Sequence, residues 1–238
     1  MTVPGYAADL HNHTPLLPCD YRGSLETTPR EIVETALSAG LDVYAATDHF
    51  SVEYCERLMD AAEEVAAEMG RRLLVVPGAE LKVRHGNDEV HILALLPPEH
   101  AMRTFDELVN ILGLTSPVAP LCELHRVTVT YEPREVFKII DALGGIGIVG
   151  HVDRVFGRYR LLDSPLADTL LSSAYVRAVE VVDSRHTAML AGYDVTVVSS
   201  SDSHSTAEIG RRRMHLEMAD LSFPALRETL EALVALVV

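Results

Sequence analysis

Short runs rich in Val, Ile, Leu and Ala, each too brief for a helix, alternate along the chain with amphipathic stretches of helical period. That alternation limits the possible folds more than any single residue does. The apolar runs AADLHNH (7–13), LDVYAATDH (41–49) and RLLVVPGAEL (72–81) are separated by the helical stretches PREIVETALSAG (29–40) and VEYCERLMDAAEEVAAEMG (52–70). The pattern continues through EVHILALL (89–96), a helix from about Met102 to Leu112, a helix EPREVFKIIDALG (132–144), the runs GIGIVGH (145–151), AVEVVDS (178–184) and VTVVSSSDSH (195–204), and a closing helix FPALRETLEALVAL (223–236). Pro29 suits a first helical turn, and Gly40 and Gly70 suit helix ends. Strands alternating with helices give a mostly parallel sheet, and about seven units give a closed or nearly closed barrel. The 238 residues fit one such α/β domain spanning 1–238. The stretch from Gly113 to Val129 follows neither period and is expected as a loop over the barrel mouth.

Gly145, Gly147 and Gly150 spell GxGxxG, but a dinucleotide fingerprint needs its glycines after a strand and at the opening of a helix. Here they follow a helix and lie inside an apolar run, which predicts a helix end and a crowded strand instead.

Polar residues able to bind metal gather at the ends of the apolar runs. Asp48 and His49 end one, Glu80 another, His151 and Asp153 a third, Asp202 and His204 a fourth. In a parallel barrel those ends share one face, where active sites are built. His11 and His13, two apart on an extended segment, project from the same side, and Asp202 and His204 repeat that spacing. One HxH alone reads equally well as a surface strand; the whole set does not. His91 stands early in its run and reaches the same mouth only if that strand runs antiparallel or starts late. Imidazoles and carboxylates without thiolate suit Zn, Mn or Fe, and eight candidates exceed what one ion takes, so two or three divalent ions are expected with a carboxylate such as Glu80 bridging.

The segments DLHNHT, AATDHF, PGAEL, EVHILAL, GHVDR and SSDSHS, in this order and spread over nearly the whole chain, resemble the PHP (polymerase and histidinol phosphatase) superfamily of metallophosphoesterases. The resemblance implies a distorted (βα)7 TIM-like barrel with a di- or trinuclear site. It implies that His11, His13, Glu80 and Asp202 bind one ion, Glu80 with His91 and His151 a second, and His49 with His204 a third. The third site takes one more ligand from HTPLLPCDYRGS (13–24), with Asp20 chosen and Cys19 the alternative. The function implied is hydrolysis of a phosphate ester on a small phosphorylated metabolite by a metal-bridging hydroxide. A nuclease or nucleotide phosphodiesterase acting on nucleic acid ends is one alternative, and a non-catalytic metal-binding module the other.

Around this set, Asp9 and Asp48 either orient imidazoles from outside or are solvated loop acids. Arg154 and Arg158 follow His151 and offer planar donor sets to phosphate oxygens, or lie on an exposed helix. His186, after AVEVVDS, is expected to touch substrate, so Asp48, Arg154 and His186 are the catalytic candidates. Ser199 to Ser203 lack the GxSxG frame of a serine nucleophile and are expected to line the metal site. His85, His100, His125 and His215 fall outside the matching segments and read as structural or exposed.

Acidic residues number 35 against 20 Lys and Arg, a net −15 that disfavours a long nucleic-acid groove or an anionic membrane surface. The longest apolar run, ALVALVV (232–238), is far below the roughly 18 residues of a membrane span. Three scattered cysteines, and a first segment without a basic stretch before an apolar one, point to a reducing cytoplasm.

Overall fold

A computed structural model describes residues 3–156 and 159–232. In chain order its strands are β1 (Gly5–Asp9), β2 (Val43–His49), β3 (Leu74–His85), β4 (Asp88–Leu95), β5 (Val129–Thr130, paired with β3), β6 (Ile146–Val149), the small separate antiparallel pair β7 (Val155–Phe156) and β8 (Tyr159–Arg160), β9 (Ala178–Glu180), β10 (Thr196–Val198) and β11 (Met214–Glu217). Among the described residues the main sheet has nine strands, and the principal ones run in the order β10-β9-β6-β4-β3-β2-β1-β11. The helices are α1 (Pro29–Ser38), α2 (Glu53–Met69), α3 (Ala101–Ile111), α4 (Pro133–Ala142), α5 (Pro165–Leu171) and α6 (Phe223–Ala232). Among the described residues no helix is long and apolar enough to cross a membrane. The end of the apolar run ALVALVV and the last turn of the expected final helix lie outside the described residues, as does Arg158.

Local chemistry sets the helix ends. Thr28 accepts the Glu31 N–H while the Glu31 carboxylate takes the Thr28 N–H, a capping box with Pro29 in the first turn. Gly70 closes α2 in the left-handed conformation that a glycine adopts without steric cost.

The sheet curls into a nearly closed barrel with two apolar layers. Alternation sends Ala8, Val43, Ala45, Val76, Leu93, Leu95, Ile146, Ile148, Ala178 and Val198 to an inner cluster, plugged from below by Phe223, Leu226 and Leu230 of α6. The opposite faces of the same strands pack with α1 to α5 in a larger outer cluster that includes Tyr44, Ile92, Val149 and Phe137. The seam lies past the ends of β1 and β10, where residues 10–13 run beside 200–203. There His13 N–H donates to Ser203 O at 2.8 Å, and Asn12 bridges Ser203 in parallel register.

Two departures from strict βα alternation matter. No helix separates β3 from β4; residues Gly86 and Asn87 turn the chain back directly, with Gly86 at φ +61°. Strand β4 is therefore antiparallel to both neighbours, β3 and β6, and its beginning lies at the mouth where the parallel strands end. Between β9 and β10 only a short 3-10 segment, Ser184–Leu190, makes the crossover. The GxGxxG spelling resolves as expected: Gly144, at φ +78°, ends α4, and Gly147 lies in β6 beneath Phe137. A Cβ on Gly147 would stand 2.5 Å from Phe137 Cδ1. Gly147→Ala is expected to overpack this contact and cost about 1–3 kcal/mol, lowering the melting temperature measured by calorimetry; an unchanged melting point would mean the ring yields freely.

Candidate metal centre

The alternation that fills the barrel also builds the site. One or two inward-facing steps above the apolar layer, β2 presents His49 above Ala45, β3 presents Glu80 above Val76, β4 presents His91 beyond Leu93, β9 presents Glu180 after Ala178, and the extension of β10 presents Asp202 after Val198. His151 and Asp202 have positive φ, +27° and +49°, as does Phe50 directly after His49. Such backbone is costly for residues with a Cβ and persists where the surroundings enforce it. Here it falls on or beside the ligand-type residues.

Glu80 is the hub. Its Oε1 lies 2.5 Å from His91 Nδ1 and 3.1 Å from His151 Nε2, and its Oε2 lies 3.2 Å from His49 Nδ1, 3.3 Å from His13 Nε2 and 3.5 Å from His11 Nε2. Asp202 Oδ1 stands 3.3 Å from both His11 Nε2 and His13 Nε2. On the far side of His13, its Nδ1 is 3.2 Å from Asp20 Oδ2, which is also 3.5 Å from His204 Nε2 and 4.0 Å from His49 Nε2. Among the described residues three ligand groups have atoms mutually within 4.8 Å: His11 with Glu80 and His151, His11 with His13 and Asp202, and His13 with Asp20 and His49. Of the two residues offered for the third site, Asp20 stands beside His13, His49 and His204, while the Cys19 thiol is exposed and near Cys122.

Several of these atoms are buried without a hydrogen-bond partner: His11 Nε2, both nitrogens of His13, Asp20 Oδ2, His49 Nδ1 and His151 Nδ1. Orphaned polar atoms are rare inside proteins, and a cluster converging on shared points fits divalent ions with nitrogen and oxygen donors. Burial opposes charging of five imidazoles, those of His11, His13, His49, His91 and His151. The carboxylates outweigh it at His11, His13 and His91, whose pKa values are raised, but not at His151, which is lowered, or at His49, pushed down to about 3.

The surrounding residues hold this set in place. Glu180, buried in β9, accepts from His11 Nδ1 at 3.0 Å and from the His151 N–H at 2.9 Å. That bond fixes the His11 tautomer and turns its Nε2 lone pair toward Glu80 and Asp202. Glu180 was absent from the expected site because a single acid in AVEVVDS resembles a strand end; its shared face with Ala178 is the signal that reveals it. Glu180→Gln is expected to weaken divalent-metal affinity by about 10–100-fold in chelator competition without altering circular dichroism. An affinity within twofold of the original would reduce Glu180 to a buried acid.

Asp9 is an internal brace, accepting the N–H groups of Ser201 and Gly210 at 2.9 Å each, and burial lifts its pKa to about 6. Asn12 faces away from its flanking histidines, donating to Asp9 O and Ala45 O and accepting from Ser203 Oγ at 2.7 Å.

Asp48 stands behind the mouth and not in its lining: its carboxylate accepts the Thr14 N–H at 2.8 Å and hydroxyl at 2.6 Å, so it braces the turn after His13, as a residue acting on the imidazoles from outside would. His186 also misses the mouth, because its Nδ1 is held 3.0 Å from Asp153 and its Nε2 2.9 Å from Arg160 Nη1, while Asp153 itself accepts the N–H groups of Val182 and Asp183. The hydroxyls of Ser200, Ser201 and Ser203 lace the seam to Leu10, Arg212 and Asn12 rather than lining the metal site. Arg154 does reach the mouth, where it pairs with Asp202 Oδ2. His85, His100, His125 and His215 lie outside the residues lining it.

The mouth is an open cavity of about 190 Å³ lined by His13, His49, Glu80, His91, His151, Asp202 and His204, with Lys82, Arg154 and Phe156 at its rim. Phe156 packs against His91 and His151, with centroids 4.4 and 4.9 Å apart.

No family model and no curated protein matches this sequence. Solved structures do match in fold. A protein from Bifidobacterium adolescentis, provisionally described as a metal-dependent phosphoesterase, superposes with TM-score 0.63 at 19% identity, covering 94% of this chain and 95% of its own. A lesion-specific endonuclease from Pyrococcus furiosus gives 0.68 at 18% identity, over 96% of this chain but 56% of the endonuclease. An amidohydrolase from Chromobacterium violaceum gives 0.58 at 20% identity, covering 94% and 96%. The first two have PHP-type folds, so the chain shares the fold that its motifs resemble.

Proposed function

We propose that this chain is a metal-dependent phosphoesterase that hydrolyses a phosphate ester on a small phosphorylated metabolite. The observation that carries this reading is the set of buried, unpartnered imidazole and carboxylate atoms converging at the open end of the barrel. His11, His13, Glu80 and Asp202 would hold one ion, Glu80 with His91 and His151 a second, and His49, His204 and Asp20 a third, with His13 Nδ1 also directed at Asp20. Divalent ions bound there would acidify a water and withdraw charge from phosphoryl oxygens. Glu180 and Asp48 keep the donor atoms aimed, the first through His11 and His151 and the second through Thr14. Arg154 lies at the rim, where a guanidinium can hold a phosphoryl oxygen in place. The hydroxyls of Ser200, Ser201 and Ser203 are committed to the seam, which favours water over a serine as nucleophile.

The test is elemental analysis of the purified protein with a hydrolysis screen spanning small phosphomonoesters, nucleotides and oligonucleotide ends. Bound transition metal with turnover of a small monoester is the expected result. Absence of metal together with absence of turnover after Mn²⁺ or Zn²⁺ addition would refute the reading.

A second reading, cleavage at nucleic acid ends, draws on the likeness to the endonuclease, although this chain spans little more than half of that protein. Its signature would be strong oligonucleotide cleavage that falls steeply with salt, and the net charge of −15 counts against it.

A further inference from the structure

Lys82 is the one cation at the mouth that no expectation assigned. It stands two residues after Glu80 on the same face of β3, about 6.6 Å further along the strand at the usual rise. Across the hairpin it is in register with His91. It lines the mouth together with His49, His91, Arg154 and Phe156, and its charge bears on His49, His91 and Glu89.

Its partners set it apart. Arg154 is paired with Asp202, and Arg84, the next residue on that face, is 3.5 Å from Glu89. Among the described residues Lys82 forms no ion pair; its ammonium donates only to the backbone carbonyl of His125, in the 3-10 turn Leu121–Arg126. An ammonium carries three donors and a compact, strongly hydrated charge. With one donor used on a neutral carbonyl, two donors and an unneutralised charge remain beside the cluster.

Resting on the phosphoesterase reading, we infer that Lys82 is a specificity-determining residue: its ammonium takes the non-bridging oxygens of a terminal phosphate opposite Arg154, so the mouth prefers a phosphomonoester to a phosphodiester. The physical basis is charge. A monoester dianion presents two charges and three terminal oxygens, whereas a diester presents one charge and two oxygens and places a second substituent where the ammonium must reach. Coulomb attraction scales with the product of the charges, and the partly buried rim screens it less than water does. The bond to His125 ties the ammonium to the turn Leu121–Arg126, so its position does not depend on a carboxylate partner.

The experiment compares the full chain with Lys82→Met, Lys82→Arg and Lys82→Gln, all loaded with Mn²⁺. The substrates are para-nitrophenyl phosphate and bis-(para-nitrophenyl) phosphate, and inorganic phosphate binding is titrated by calorimetry. Metal content and circular dichroism are recorded alongside. Lys82→Met should raise the monoester KM and the phosphate Kd at least tenfold, with kcat and the diester KM changed less than threefold and metal content unaltered. Lys82→Arg should recover part of the loss. Lys82→Gln keeps a donor for the His125 carbonyl without the charge, and reports the same loss if the Met variant fails to fold. Equal effects on monoester and diester, or a phosphate Kd within twofold of the original, would overturn the inference. If the original protein hydrolyses neither ester, the phosphoesterase reading fails by itself. The phosphate titration then decides Lys82: a tenfold weaker Kd retains it as the anion contact, and no phosphate binding by the original protein overturns it.

Discussion

Replacing Glu80 with Gln is expected to lower phosphate-ester hydrolysis by more than about 100-fold, beyond the upper end of what losing an outer partner of a ligand costs, and to leave the protein with at least one ion fewer. The shape of the side chain is kept, so the effect isolates charge. Among the described residues Glu80 is the sole carboxylate facing His11, His13, His49, His91 and His151 together, with contacts from 2.5 to 3.5 Å. An amide can present one oxygen to this group but must turn a donor toward the rest, and it cannot offset cationic charge. Four other carboxylates remain close by, yet Asp202 and Asp20 serve opposite sides of His13, Glu180 is engaged by His11 and the His151 N–H, and Glu89 reaches only the far nitrogen of His91, at 3.3 Å. None can replace a residue that joins the His11/His151 side to the His49 side. The control is His85→Ala in the β3–β4 hairpin, half-exposed and 3.3 Å from Glu132, which should leave activity within about twofold, as expected for a surface change. Kinetics and elemental analysis of both variants check this, and equal losses would show the site to be misplaced.

Chelation of divalent ions should abolish hydrolysis and lower thermal stability while leaving the far-ultraviolet circular dichroism nearly unchanged. Ligands that bind only the folded state stabilise it by about 2.7 kcal/mol when present at a hundredfold excess over Kd. For a domain of this size each kcal/mol is worth roughly 2–4 °C in melting temperature, so each ion held that firmly should contribute about 5–11 °C. The fold should survive because the inner cluster under α6 and the outer cluster under the remaining helices contain none of the candidate ligands. Only the mouth gains from ions. Re-addition of Mn²⁺ or Zn²⁺ should restore both activity and melting point; outright unfolding on chelation would instead make the ions structural staples.

The strand ends were readable because each carried its polar residue at the close of an apolar run, and strand ends in a barrel share one face. His91 was ambiguous for a local reason: the direction of its strand depends on the turn at Gly86 and Asn87, which reverses the chain without a helix. His186 illustrates the limit of such reading. Proximity to a strand end fixes height along the barrel axis but not the side to which the chain turns, and Asp153 draws His186 away from the mouth. For Asp48 the sequence shows only that it stands beside His49; that its carboxylate is occupied by Thr14 appears in the structure alone. Glu180 and Lys82 share another difficulty. Each is one charged residue in an apolar strand, and its role is decided by alternation relative to neighbours that only the inner cluster identifies.

The seam between residues 10–13 and 200–203 bears on how fast ions can leave. Its bonds join segments about 190 positions apart in the chain, as in Leu10 to Ser200 and Ser203 to Asn12. Contacts of such separation carry the largest loop-closure cost and are slow to form. His11 and His13 stand on one side of that line and Asp202 and His204 on the other, so bound ions would act as a clasp across it. Parting the two edges would separate ligands of one ion, so a clasped seam would lengthen the lifetime of the folded state by slowing its first opening, whatever its effect on the equilibrium.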